Sequence, residues 1–455
     1  MLTESQRAKM AEYTAAVSAD TAAKKRLAAL FDDGVYTEID AYAKCGEDLT
    51  GVAAAYGFVN GAPVYAFSQD SSVKSGAVSK AHAAKIAKVF DLASRNGVPV
   101  VGIYDSCGAF VEDGAEAMNA YGEILAHTSN LSGVVPQIAV IAGVCSGSAA
   151  VIAACADFVI MSEEGALYLN AGADSSSAEA AAKCGISAIT AKDDKDAVEQ
   201  AKKLVSLMPQ NNLSPVPEFE YAESGKKAEG SAEDIAAAVA DEGSVTELYA
   251  EFGKASFTAL ATIGGASAGI VGTNKTADKL TSDDTAKIAR FVRLCDAFSV
   301  PVITIVDTEG FESGAEAVRN TAKAASAYAE ATTVKISLVT GKAYGSAFVA
   351  LAGNNANADM TFAYPDAVIA PMNPIAAAEF LYHDELKGAS DVKAKREEIA
   401  KRYADEKASA FDAAAKGAVD EIIDPANARA KIISVLDISA GKRMVKQLPK
   451  KHSVN

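Results

Sequence analysis

The residues best placed to do chemistry lie in short turns marked by glycine and serine. The first is Gly143-Val-Cys145-Ser146-Gly147-Ser148-Ala149, which follows the apolar run IAVIAG and precedes AAVIAACAD, a stretch of small apolar residues without a breaker. This order reads as a strand, a turn and a buried helix. Such a turn aims the first unpaired N–H groups of the helix at whatever sits above it, so the backbone itself forms a site for negative charge. Upstream, VPVVGIYD (Val98 to Asp105) is too short and too β-branched for a helix and ends on a carboxylate, which predicts a buried strand. The glycine-marked turn DSCGAFVEDG comes next.

The same grammar returns about two hundred residues later. Lys85-Ile86, Val89, Phe90 and Ala93 form a helical stripe leading to VPVVGIYD, and Lys287-Ile288, Phe291, Val292 and Cys295 lead to VPVITIVD. Ile86 stands as far from Asp105 as Ile288 does from Asp307. Gly108 answers Gly310, Gly-Ala-Glu-Ala recurs at Gly114 and Gly314, and GVCSGSA answers GKAYGSA (Gly341 to Ala347). Asp157 and Asp359 keep the offset. Several matches in one order predict a duplicated domain with long units, not a short-period solenoid.

The elements around these turns support that organisation. Met1 to Leu30 reads as helix, and its cluster Lys24-Lys25-Arg26 is either a solvated face or a contact to a nucleotide phosphate. Tyr56 to Asp70 reads as a hairpin, because Asn60-Gly61 between apolar runs is the favoured type I′ signal. Ser79 can cap the next helix. From Met161 to Lys203 the pattern loosens into serines and alanines, consistent with a lid or peripheral helix. MPQNNLSPVPEFEY is the clearest linker and places the boundary between domains 1–215 and 216–455. Phe257 to Lys275 reads as a second hairpin-like entry, and Thr281 to Asp284 as a helix cap.

Composition narrows the class. The chain has 455 residues, half of them hydrophobic, enough for sizeable cores. A net charge of −16 argues against nucleic acid as a partner. No uninterrupted apolar stretch has membrane-spanning length, and MLTESQRAKMAEY lacks the apolar core of a signal peptide, so a cytoplasmic protein is expected. The six cysteines show no C-x-x-C pair, which predicts neither a zinc site nor a disulfide framework. They read as small apolar fillers, and no metal is expected.

Together these strings resemble the carboxyltransferase subunit of biotin-dependent acyl-CoA carboxylases and decarboxylases, in the crotonase-like superfamily. The resemblance runs from about Arg26 to Ile432. It is carried by Ser68-Gln69-Asp70, Lys85-Ile86, Asp91-Leu92-Ala93, Asp105 to Ala109, Ser132 to Ile138, Gly143 to Ser148, Pro209 to Asn212, Asp307 to Phe311 and Lys342 to Gly345. It implies an α/β fold of two tandem crotonase-like (ββα-superhelix) domains, the first facing acyl-CoA and the second biotin. It implies transfer of a carboxyl group between biotin and a short acyl-CoA such as acetyl-, propionyl- or methylmalonyl-CoA, through enolates held in two backbone oxyanion holes. The catalytic amides would be those of Gly147 and Ser148 for the thioester and of Ser346 and Ala347 for biotin. Gly108, Ala109, Cys145, Ser146, Lys24 and Arg26 would bind the acyl-CoA, and Gly310, Phe311, Tyr344 and Gly345 the biotin.

Several positions depart from the family pattern. Gly147-Ser148 and Gly345-Ser346 stand where two adjacent glycines are usual, Phe110 where an arginine follows D-S-G-G-A, and Asn170-Ala171-Gly172 where T-G-P is usual. No biotin-attachment segment is present, so the resemblance implies biotin on a separate biotin carboxyl carrier protein. The other implied partners are a biotin carboxylase or a membrane decarboxylase subunit, and a homo-oligomer (dimer or trimer of dimers). The alternatives are the soluble alpha subunit of a sodium-pumping decarboxylase, peripheral to a membrane complex, and a non-catalytic assembly scaffold.

Overall fold

A computed structural model of the chain describes residues 2–170, 176–354 and 358–442. The chain divides into two compact units, Met1–Pro215 and Val216–Asn455.

In the first unit, Val52–Val59 and Ala62–Gln69 pair as an antiparallel hairpin. Asn60 and Gly61 join them at φ 49° and 78°, the two positive values a type I′ turn requires. Tyr36–Ile39 extends this hairpin on its outer edge. On the other side Val100–Ser106, Gln137–Ser146, Phe158–Ser162 and Ile189–Ala191 line up in parallel. All seven residues of Val100–Ser106 are buried, as a parallel strand covered on both faces demands. Helix Lys80–Asn96 makes the first crossover. The Ser79 hydroxyl caps its start, and Gly97 at φ 63° closes its end. Its stripe Ala83, Ile86, Val89, Phe90 and Ala93 joins Phe67 and Tyr104 in the core. Helix Ala115–Leu131 makes the second crossover.

The stretch expected to form a lid or a peripheral helix runs into a packed helix. Helix Asp194–Leu207 buries Ala197, Val198, Ala201, Leu204, Val205 and Leu207, a regular apolar face, so it belongs to the core. Within Asn170-Ala171-Gly172, only Asn170 lies among the described residues.

The second unit repeats the plan. Hairpin Phe257–Ile263 with Ala266–Gly272 is continued in parallel by Val302–Thr308, Lys335–Tyr344, Met360–Ala363 and Glu421–Ile422. Helices Ser282–Ala297 and Ala315–Glu330 are its crossovers. Thr281 and Asp284 form the expected capping box. Asp157 and Asp359 have matching structural tasks: each carboxylate accepts the first amide of its unit's central strand, Gln137 and Lys335, at 2.8 Å. Each unit therefore shows the strand–strand–helix winding that the crotonase-like resemblance implies. The copies differ after the second turn. Ser148–Ala154 is a regular α-helix, whereas Phe348–Ala352 is wound as a π-helix.

Candidate functional site

The site grows from an irregularity present in both units. Tyr104 pairs with Ile141, and the next pairing is Ser106 with Cys145, so one strand advances two residues while its partner advances four. The second unit does the same between Val306 with Val339 and Thr308 with Ala343. Bulges of this kind bend a strand and re-aim the residues beyond it. A carboxylate occupies each bulge. A Cβ on Gly143 would lie 2.8 Å from Asp105 Cγ, and one on Gly341 would lie 2.5 Å from Asp307 Cγ, so only glycine permits the approach.

The two carboxylates are held differently. Asp105 accepts from Arg26 Nη1 at 3.0 Å and from Ser71 Oγ at 2.8 Å. Asp307 accepts from Asn274 Nδ2 at 2.7 Å and from the Lys342 amide at 2.8 Å. Both aspartates thus act as anchors of the strand end.

Beyond each bulge the chain reverses at a glycine. Gly147 sits at φ 64°, ψ −130°, and Gly345 at φ 54°. Ser148 and Ser346 have no positive φ, so serine is unstrained there and the glycine requirement falls one residue earlier, where glycine is retained. The Gly147 amide donates to the Tyr168 carbonyl at 2.7 Å, and the Gly345 amide to the Ala370 carbonyl at 2.8 Å. Both of these amides are thus bonded within their own unit. The next amides, Ser148 and Ala149 in one unit and Ser346 and Ala347 in the other, have no acceptor among the described residues, as befits the first turn of a helix.

A second glycine turn follows the other strand of each bulge. Ser106 Oγ accepts from the Gly108 amide at 3.2 Å, and Thr308 Oγ1 accepts from the Gly310 amide at 3.1 Å, fixing the two glycines at φ 115° and 123°. The segment then pairs outward. The Val78 amide donates to Gly108 and the Phe110 amide to Val78, which leaves the Ala109 amide pointing away from that pairing with no acceptor among the described residues. Leu280 pairs with Phe311 in the second unit, and the Glu312 amide donates to Leu280 in the same sense. A Cβ on Gly108 would stand 3.6 Å from the Ser146 carbonyl, so the Gly108 and Ser146 turns abut.

Of the other residues expected at the site, Cys145 is fully buried, and burial pushes its thiol up to about 12, which leaves it an inert filler. Tyr344 packs among Ala370, Ala377, Tyr403 and Ala408. Arg26 departs from the phosphate contact considered for it: its guanidinium is committed to Asp105 and, at 2.8 Å through Nε, to Asp194. Lys24 pairs with Glu38 at 3.0 Å and with the Val17 carbonyl, yet it also lines a cavity of about 320 Å3 with Lys74 and Lys85. The Lys85 ammonium donates to the Val52 carbonyl at 2.7 Å, and burial pushes it down to about 8. Ser71 and Asn274 escaped sequence reasoning, since a lone hydroxyl or amide carries no pattern, and Ser106 and Thr308 lay within their strings without a role. Their one legible signal is that Ser106 and Thr308 come directly after the two paired aspartates.

Among the described residues no group of three or more His, Cys, Asp or Glu could hold a metal ion, and no helix is long and apolar enough to cross a membrane.

Comparison with known proteins places this arrangement. The family described as carboxyl transferase domain matches residues 19–455. The methylmalonyl-CoA decarboxylase subunit alpha of Propionigenium modestum is 35% identical over 94% of this chain and 92% of its own. The propionyl-CoA carboxylase beta chain of Saccharopolyspora erythraea is 34% identical over 94% of this chain and 89% of its own. Among solved structures, the transcarboxylase 12S hexamer with methylmalonyl-coenzyme A and methylmalonic acid bound superposes with a TM-score of 0.92 at 31% identity, covering 100% of this chain and 99% of that one.

Proposed function

Because this chain belongs to the carboxyl transferase domain family, we propose that it moves a carboxyl group between biotin, carried on a separate protein, and the α-carbon of propionyl-CoA, giving or consuming methylmalonyl-CoA. The substrate pair is supported by relatives of opposite direction. One is named for decarboxylating methylmalonyl-CoA and another for carboxylating propionyl-CoA, two molecules that differ by one carboxyl group.

The observation that carries the reading is the pair of unspent amide sets. Biotin, when bound, supplies or receives the carboxyl group on a ring nitrogen. The chain's own task is to hold the oxygen on which charge builds while a carbanion forms beside it. In the first unit the amides of Ala109, Ser148 and Ala149 would face the thioester oxygen. In the second, those of Phe311, Ser346 and Ala347 would face the ureido oxygen. Fixed main-chain donors suit this because they need no reorganisation as charge develops, and each is worth about 3–4 kcal/mol to the barrier. Neither set contains a titrating side chain, so proton transfer at carbon falls to the reactants.

The test is to incubate the purified protein with methylmalonyl-CoA and free biotin and monitor CO2 release. Release that requires biotin supports the proposal. No release from methylmalonyl-CoA or malonyl-CoA would favour the scaffold reading instead. Similarity to the decarboxylase alpha subunit favours a second setting, in which this chain works with an integral membrane subunit. Co-purification with such a subunit would select that setting, and a soluble complex with a biotin carboxylase would select the carboxylase. We further infer a homo-oligomer located in the cytoplasm.

A further inference from the structure

We propose that Arg26 is a positioning residue for the first amide set, an inference that rests on reading that set as the acyl-CoA site. Arg26 lies on helix Ala22–Leu30, with about an eighth of its side chain exposed. Its fork bridges Asp105 at the strand end and Asp194 at the start of helix Asp194–Leu207. Asp105 links both segments supplying donors. Its carboxylate fills the bulge that runs through Gly143 to the Gly147 turn, and its own chain continues through Ser106 and Gly108 to Ala109.

The second unit serves as an internal control. There the equivalent carboxylate, Asp307, is fixed by a main-chain amide of the bulge itself, that of Lys342, together with the neutral Asn274. In the first unit the two donors to the carboxylate among the described residues are side chains, Arg26 and Ser71, arriving from outside the bulge. The bulge of the second unit is therefore tied by its own backbone, while that of the first depends on a guanidinium reaching in from the amino-terminal helix. Arg26 has no need to touch substrate. Loosening it lets Asp105 shift against Gly143, and the Ala109 and Ser148 amides lose their common aim.

The experiment compares wild type with Arg26→Met, Arg26→Ala and Arg26→Lys in the full-length protein, using biotin-dependent CO2 release from methylmalonyl-CoA, calorimetric binding of free CoA, and peptide-resolved hydrogen exchange. For Arg26→Met we expect kcat to fall 10- to 100-fold, with KM and the Kd for CoA within twofold of wild type. Arg26→Lys keeps the charge but not the fork, so part of the activity should return. Guanidinium chloride at millimolar concentration should raise the kcat of Arg26→Ala. Exchange should quicken in segments 105–109 and 143–149, and stay unchanged in 307–311 and 341–347. A tenfold rise in KM and in the Kd for CoA at wild-type kcat would make Arg26 a substrate contact and overturn the proposal. A lowered Tm with wild-type kcat would reduce it to a fold-stabilising residue and also overturn it. If the Met and Ala variants fail to fold, Arg26→Lys carries the same readouts. If wild type itself shows no turnover, the functional reading fails, while the exchange pattern still decides whether Arg26 fixes the two segments.

Discussion

Gly147→Ala isolates backbone geometry from packing. A Cβ at this position meets nothing within 4 Å, so no collision contributes. The cost comes from φ 64° with ψ −130°, a region that residues with a Cβ avoid, worth about 1–3 kcal/mol. If the backbone keeps its shape, the strain appears as lost stability, about 4–8 °C in Tm for roughly 2 kcal/mol in a unit of this size. If it relaxes, the 2.7 Å bond from the Gly147 amide to Tyr168 is lost and the Ser148 amide turns with it. Losing one donor to a developing oxyanion costs about 3–4 kcal/mol, or about 10²–10³ in kcat. The expected result is a fall in kcat for biotin-dependent CO2 release of at least about a hundredfold at nearly unchanged KM. The twin substitution Gly345→Ala adds crowding, since its Cβ would approach the Pro371 carbonyl at 3.0 Å, so its Tm should fall further. A folded Gly147→Ala protein with both kcat within twofold of wild type and an unchanged Tm would refute the reasoning, because the turn would then be neither strained by a side chain nor aiming anything.

Other perturbations test the surroundings. Gly143→Ala pushes a methyl into the Asp105 carboxylate, with overpacking expected to cost about 1–3 kcal/mol by urea unfolding and turnover to fall with it. Burial holds Lys85 at about 8, against about 10.5 in the unfolded chain, so the unfolded state binds more protons between those values and stability should rise with pH across that window and be flat below it. Lys85→Met should remove about 2 kcal/mol of the rise between pH 7.5 and 9.5, measured by urea titration at the two pH values. Asp284 is fully buried and accepts from the amides and hydroxyls of both Ser256 and Thr281. Asp284→Ala leaves those donors unmatched and should destabilise the protein by about 3 kcal/mol, a lowered urea midpoint being the readout.

Local period and repetition made part of the architecture legible in the sequence. The equal spacing of Ile86 to Asp105 and Ile288 to Asp307 located both crossover helices and the central strands after them, and Asn60-Gly61 located the first hairpin. The features that stayed hidden depend on partners distant along the chain. The Gly147 amide is spent on Tyr168 because Ala166–Tyr168 folds back alongside Val144 to Ser146, a pairing no local pattern announces. Arg26 looked available to a phosphate because Asp105 and Asp194 lie 79 and 168 residues away. Asp194–Leu207 was obscured by the serine- and alanine-rich stretch before it, although its own apolar stripe is regular.

Donors that belong to the main chain survive almost any change of side chain. Replacing glycine by serine at 148 and 346 alters the decoration of the turns without subtracting a proton from them. Drift at such positions can reshape what the pocket admits while the means of stabilising charge passes unchanged from one variant to the next. A search of this chain for a catalytic acid, base or nucleophile would therefore pass over the main-chain amides proposed to carry turnover.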